Sequence, residues 1–181
     1  MPIPSPWALT PDSRRWLVPP AACAALARHP LGHELWPEAL GVYRQAAGHA
    51  MAREAAEHED HLLLYCVQGR GSVDWGEGPE AVGPGTLVLL PAGVAHAYRA
   101  DAEAPWTLYW VHFDGPRAAD FLAPLLGGRP ALAGTVGLGL VPDFEALLAR
   151  TREGFVLPSL LHAANTLRAL LTHAALLLPR H

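Results

Sequence analysis

One stretch, Gly85-Thr-Leu-Val-Leu-Leu-Pro-Ala-Gly-Val-Ala-His96, constrains the fold more than any other. Gly85 opens a turn, and the apolar run behind it is too short for a helix. Pro91 presets one backbone angle and Gly93 is free to take a positive one, so the chain turns back and His96 sits on the next strand. A five-residue strand of this kind is buried on both faces. The same punctuation recurs along the middle of the chain. Turn signals at 68–71, 76–79 and 83–85 separate apolar runs at 62–67 and 87–90, and a third run lies at 106–113. Strands spaced eight to twelve residues apart have the rhythm of a sandwich or barrel.

Three zones follow. Residues 1–37 form an arm with short elements, because prolines crowd its start from Pro2 to Pro11, around Trp7. A strand at 14–18 and a helix at 21–28 are expected there. Residues 38–115 form the barrel. Residues 116–181 read as helical, with helices at 118–126, 142–154 and 158–178. In the last, Leu160, Ala164, Leu167, Leu171, Ala174 and Leu178 are spaced four, three, four, three, four, which is the pattern of a coiled-coil seam. Arg168 is the only formal charge between Ser159 and Leu178, so the expectation is a homodimer with this seam across a two-fold axis.

Composition removes several classes of function. With 51% hydrophobic and 17% charged residues the chain is not disordered. A formal charge of −4 gives no basic surplus for phosphate backbones. Cys23 and Cys66 make no disulfide framework. No apolar run is long enough to cross a bilayer and no signal peptide is visible, so a cytoplasmic protein without membrane contact is expected.

The 85–96 pattern matches the second conserved motif of the cupin superfamily, whose histidine points into a small β-barrel and ligates metal in some members. In the first cupin motif the expected ligand positions hold Ala56, His58 and Leu62, so at most His58 and His96 fall in place, and a divalent metal wants three or more. For His96, a metal ligand, a hydrogen-bonded barrel residue and a ligand-contacting imidazole stay open. Trp106, Leu108, Trp110 and His112 share one face of their strand, and Tyr109, Val111 and Phe113 the other. Two tryptophans and an imidazole in line suit a packed core or a sugar-stacking wall. Arg53, at the start of a charged loop, suits a forked clamp at a barrel mouth.

Taken together, 60–71, 85–98 and 106–113 resemble the N-terminal effector-binding domain of AraC-type transcription regulators, over about residues 39–178. The resemblance implies a mainly β, cupin-like jelly-roll barrel followed by C-terminal α-helices. It implies a small effector inside the barrel, an arm that folds over it and dimerisation through the helical region. It also implies DNA binding by a separate helix-turn-helix domain, which does not follow here, so a piece of a longer regulator is expected. Tyr98 and Trp110 match sugar-contacting positions of the arabinose-responsive member, and Arg53 lies within a residue of a third. Leu108 replaces a sugar-contacting histidine. The ligand-binding set is therefore Arg53, His96, Tyr98, Trp106, Leu108, Trp110 and His112, with no cofactor and no catalytic residue. The rival reading is a metal-dependent cupin enzyme, such as a sugar isomerase or dioxygenase.

Overall fold

The computed structural model describes residues 9–152 and 154–179. In chain order the strands are β1 (Arg14–Leu17), β2 (Trp36–Tyr43), β3 (Ala50–Arg53), β4 (His61–Gln68), β5 (Gly71–Asp74), β6 (Glu80–Val82), β7 (Thr86–Leu90), β8 (His96–Ala100), β9 (Thr107–Asp114) and β10 (Leu132–Thr135). The helices are α1 (Pro20–Arg28), α2 (Ala118–Leu126), α3 (Val141–Thr151) and α4 (Leu157–Leu177). Most of the proline-rich start, including Trp7, lies outside the described residues.

Two antiparallel sheets make the barrel. One has the order β1-β2-β9-β4-β7-β10 and the other β3-β8-β5-β6. The larger sheet therefore draws strands from all three sequence zones: β1 from the first and β10 from the last pair onto its two edges.

The central strands of this sheet are covered on both faces, which is why they read as unbroken apolar runs rather than alternating ones. Leu62, Leu64, Val88, Leu90, Leu108 and Trp110 point into the barrel. Leu63, Tyr65, Leu87, Leu89, Tyr109, Val111 and Phe113 point the other way, onto the helices. The two-face alternation read at 106–113 is the division between these cores. Gly93 takes φ +77 in the turn that delivers His96 to β8, a conformation that a Cβ disfavours.

Pro142 and Pro158 sit in the first turns of α3 and α4, where a missing N–H costs nothing. The apolar stripe of α4 turns inward. Leu160, Ala164, Leu167, Leu171 and Ala174 are buried within the single chain, and Leu178 packs against the same core. This corrects the expected seam. These side chains already cover the outer face of the large sheet together with α2 and α3, and of the six only Leu178 stays partly exposed. The outward row of α4 is His162, Asn165, Ala169, Thr172 and Leu176.

Candidate functional site: an aromatic cavity between the two sheets

A cavity of about 280 Å³ opens between the sheets. The larger sheet lines it with Arg15 and Leu17 of β1, Ala39 and Tyr43 of β2, Leu62 and Leu64 of β4, and Trp110 and His112 of β9. The smaller sheet adds Met51 and Arg53 of β3 and Tyr98 of β8, while His49 and Asp60 come from the loops before β3 and β4.

The alternation of β9 places Trp110 and His112 on the cavity side, with ring centroids 5.7 Å apart in an edge contact. Trp110 crosses Gly41, its register partner on β2. A Cβ at Gly41 would stand 2.8 Å from the indole ring and 2.3 Å from the Arg14 carbonyl oxygen, so only glycine fits there. Tyr43 tilts against Trp110 at 5.2 Å, meets the edge of His49 at 5.2 Å, and His49 in turn lies 5.5 Å from Tyr98. These four rings make a continuous aromatic wall.

The polar groups of the wall are held in fixed orientations. Trp106 Nε1–H donates to His49 Nδ1 at 3.1 Å, which puts the proton of neutral His49 on Nε2. Burial lowers the His49 pKa to about 4, so the ring is neutral near pH 7. His112 Nδ1–H donates to Asp60 Oδ2 at 2.8 Å, and His58 Nδ1 lies 3.4 Å from the other carboxylate oxygen. Burial alone would raise Asp60, but these two imidazoles outweigh it and hold the carboxyl well below the usual carboxylate range. Burial pushes Tyr98 up to about 12, a rise that the nearby Arg53 guanidinium opposes. Burial raises the Tyr43 phenol too, and there Arg15 opposes it.

The expected binding residues divide. Arg53, Tyr98, Trp110 and His112 come together on the cavity wall. Trp106 and Leu108 are fully buried and pack in the barrel core behind that wall, where Trp106 fixes His49. His96 also stands behind it. Its Nδ1–H donates to the Val94 carbonyl at 2.9 Å, and its ring stacks on Tyr98 at 5.9 Å. Burial lowers its pKa to about 4, a shift that the hydrogen bond to the Val94 carbonyl opposes. His58 meets His96 edge-on at 4.5 Å, while its Nε2–H donates to the Leu90 carbonyl at 3.0 Å. His61 accepts the Ala92 N–H. Among the described residues, no group of three or more His, Cys, Asp or Glu side chains is placed to hold a metal ion.

Sequence reasoning missed Arg15, Leu17, Ala39, Tyr43, His49, Met51, Asp60, Leu62 and Leu64 as wall residues. Period-two alternation from Leu62 picks out Leu64, and the same period runs from Arg15 to Leu17. Neither shows which face meets a cavity.

The sequence pattern of the AraC-like ligand binding domain matches residues 39–171, which include every cavity residue except Arg15 and Leu17 of β1, and most of α4. The chain belongs to the AraC-like ligand-binding domain family. It is 41% identical to the MmsAB operon regulatory protein of Pseudomonas aeruginosa, over 97% of this chain and 58% of that one. The Msm operon regulatory protein of Streptococcus mutans is 25% identical over 64 residues, 35% of this chain and 23% of that one. The chain thus spans less than two thirds of these curated relatives. Among solved structures, a cupin 2 conserved barrel domain protein from Salinispora arenicola is similar at TM-score 0.40 and 17% identity, covering 68% of this chain and 97% of that one. An oxalate decarboxylase from Bacillus subtilis is similar at TM-score 0.37 and 21% identity, covering 60% of this chain and 26% of that one. No helix among the described residues is long and apolar enough to cross a membrane.

Proposed function

We propose that this AraC-family domain is the sensing half of a transcription regulator, that it binds a small polar effector in the cavity, and that it catalyses no reaction. The observation that carries this reading is the aromatic wall of Tyr43, His49, Tyr98 and Trp110 around a cavity of about 280 Å³. Its rings offer stacking faces, and Arg15, Arg53, His112 and Asp60 offer charge and hydrogen bonds, the composition of a small-molecule site. A sugar-like molecule or another small polar metabolite has the size for it.

DNA would be met through a separate domain in the full-length regulator. The effector would act by its unequal affinity for two arrangements of the assembly. The working division is an arm with short elements at 1–37, a barrel at 38–115 and a helical region at 116–181, with β1 and β10 joining the barrel's larger sheet from the two flanking zones. A homodimer belongs to this proposal, formed through the outward row of α4, from His162 to Leu176. That row repeats every seven residues, and α4 has few charges there to keep two copies apart.

A thermal-shift screen of small metabolites tests the sensing role. A molecule that binds only the folded chain raises its melting temperature, by about 2.7 kcal/mol of added stability at a hundredfold excess over Kd. A hit whose binding is indifferent to Trp110→Phe and Tyr98→Phe would place the effector elsewhere.

A further inference from the structure

We infer that the effector is a small carboxylate, its acid group held between Arg15 and Arg53 and its short apolar body laid against Trp110, Leu62 and Leu64. This inference rests on the cavity being the effector site and adds the chemical class of the molecule.

Two cations line the cavity without a carboxylate in direct ion-pair contact among the described residues. Arg15 and Arg53 come from strands of opposite sheets, β1 and β3, and both line the cavity while half-buried. Among the described residues neither closes an ion pair, although other arginines do. Arg14, the neighbour of Arg15, points outward and pairs with Glu145, Arg70 pairs with Asp101, and Arg168 pairs with Glu34. Residues 1–8 contain no acidic side chain that could serve. The acidic group in the cavity wall, Asp60, is committed to His112 and His58.

Glu38, Glu57, Glu59 and Asp114 line a surface depression that Arg53 and Asp60 also border, yet none of them closes an ion pair with Arg53. The Arg53 guanidinium acts on Tyr98, its neighbour on the cavity wall. Trp110 adds a buried indole N–H with no acceptor among the described residues. The wall is therefore rich in donors and positive charge and poor in uncommitted acceptors. A partly desolvated guanidinium is costly without a counter-charge, and its planar fork matches a carboxylate. A neutral sugar would leave both guanidiniums without a direct ion pair. The remaining wall, Leu17, Met51, Leu62 and Leu64, is apolar and suits a short hydrocarbon body.

The test is calorimetric titration and thermal shift of the chain with matched pairs: butanoate, 3-hydroxybutanoate and benzoate against their primary amides, with L-arabinose as the neutral sugar. At least one acid is expected to bind at millimolar concentration or below, and its amide at least about tenfold more weakly. Arg15→Gln and Arg53→Gln should each weaken that acid by at least about tenfold, the usual scale for losing a charge-assisted hydrogen bond. Arg70→Gln, away from the cavity, should leave it unchanged. Melting curves of the ligand-free variants show that each is folded, and Arg53→Lys keeps the charge but removes the fork if the glutamine variant does not fold.

The inference is overturned if no acid binds, if amide and acid bind equally, or if both arginine variants keep the wild-type affinity. Binding of L-arabinose or an amide that is weakened by Trp110→Phe but not by the arginine variants would overturn the carboxylate while sparing the cavity. Binding of any of these probes that ignores Trp110→Phe and Tyr98→Phe would overturn both.

Discussion

Acidification should unfold this domain through two particular histidines. His49 and His96 are 3% and 4% exposed, so solvent screens them little, and burial lowers each from 6.5 to about 4. In the unfolded chain both return to about 6.5. Between about pH 6.5 and 4 the unfolded state therefore binds two protons that the folded state refuses, and stability falls as pH falls. Each proton contributes a slope of about 1.4 kcal/mol per pH unit, so the drop from pH 7.5 to 4.5 removes roughly 2–3 kcal/mol per histidine. Together they account for a large share of the ~5–15 kcal/mol typical of a domain.

His61, also lowered by burial, adds in the same direction. Asp60 acts in a different window. Its carboxyl is held below its ordinary 3.8, so the stability it contributes is present above that value and is lost only as pH falls further. Urea titrations at half-unit steps from pH 7.5 to 4.5 measure the slope, and His49→Gln and His96→Gln should each flatten it by roughly half of the two-histidine contribution. A wild-type stability that is flat between pH 7 and 5 would refute the reasoning, as would a slope that both variants leave unchanged.

Gly41→Ala should cost about 1–3 kcal/mol, because its Cβ would meet both the Arg14 carbonyl and the Trp110 ring, and the loss is read as a lower melting temperature. Leu167→Asp with Leu171→Asp should unfold the chain rather than release a soluble monomer, since both side chains are fully buried within it; circular dichroism checks this. Ala169→Arg with Leu176→Arg, on the outward row of α4, should instead give a folded monomer by sedimentation, and a wild-type chain that is already monomeric at micromolar concentration would sink the dimer.

The barrel was legible because turn chemistry and burial are local. Pro91 and Gly93 mark a turn wherever they fall, and the apolar runs at 62–67 and 87–90 announce strands covered on both faces. The alternation of β9 was enough to put Trp110 and His112 on one side. The rest of the wall was not legible, for reasons of distance and packing. β2 carries Pro37 near its start and a register shift between Pro37 and Ala39, so it does not read as a strand, and Tyr43 went unplaced with it. Arg15 reaches the cavity only because β1 pairs with β2, a long-range choice that no local pattern encodes. The stripe on α4 failed differently. A seven-residue apolar period identifies a face that must be buried, but it is the same whether a second helix or the outer face of a sheet covers it.

The central claim is that effector binds against Trp110 between the two sheets. The indole N–H resonance of Trp110, assigned by its absence in Trp110→Phe, tests this most directly when followed during titration with a thermal-shift hit. The account predicts that this resonance moves and saturates with the Kd found by calorimetry. A molecule that binds in the calorimeter while the Trp110 resonance stays still would contradict it.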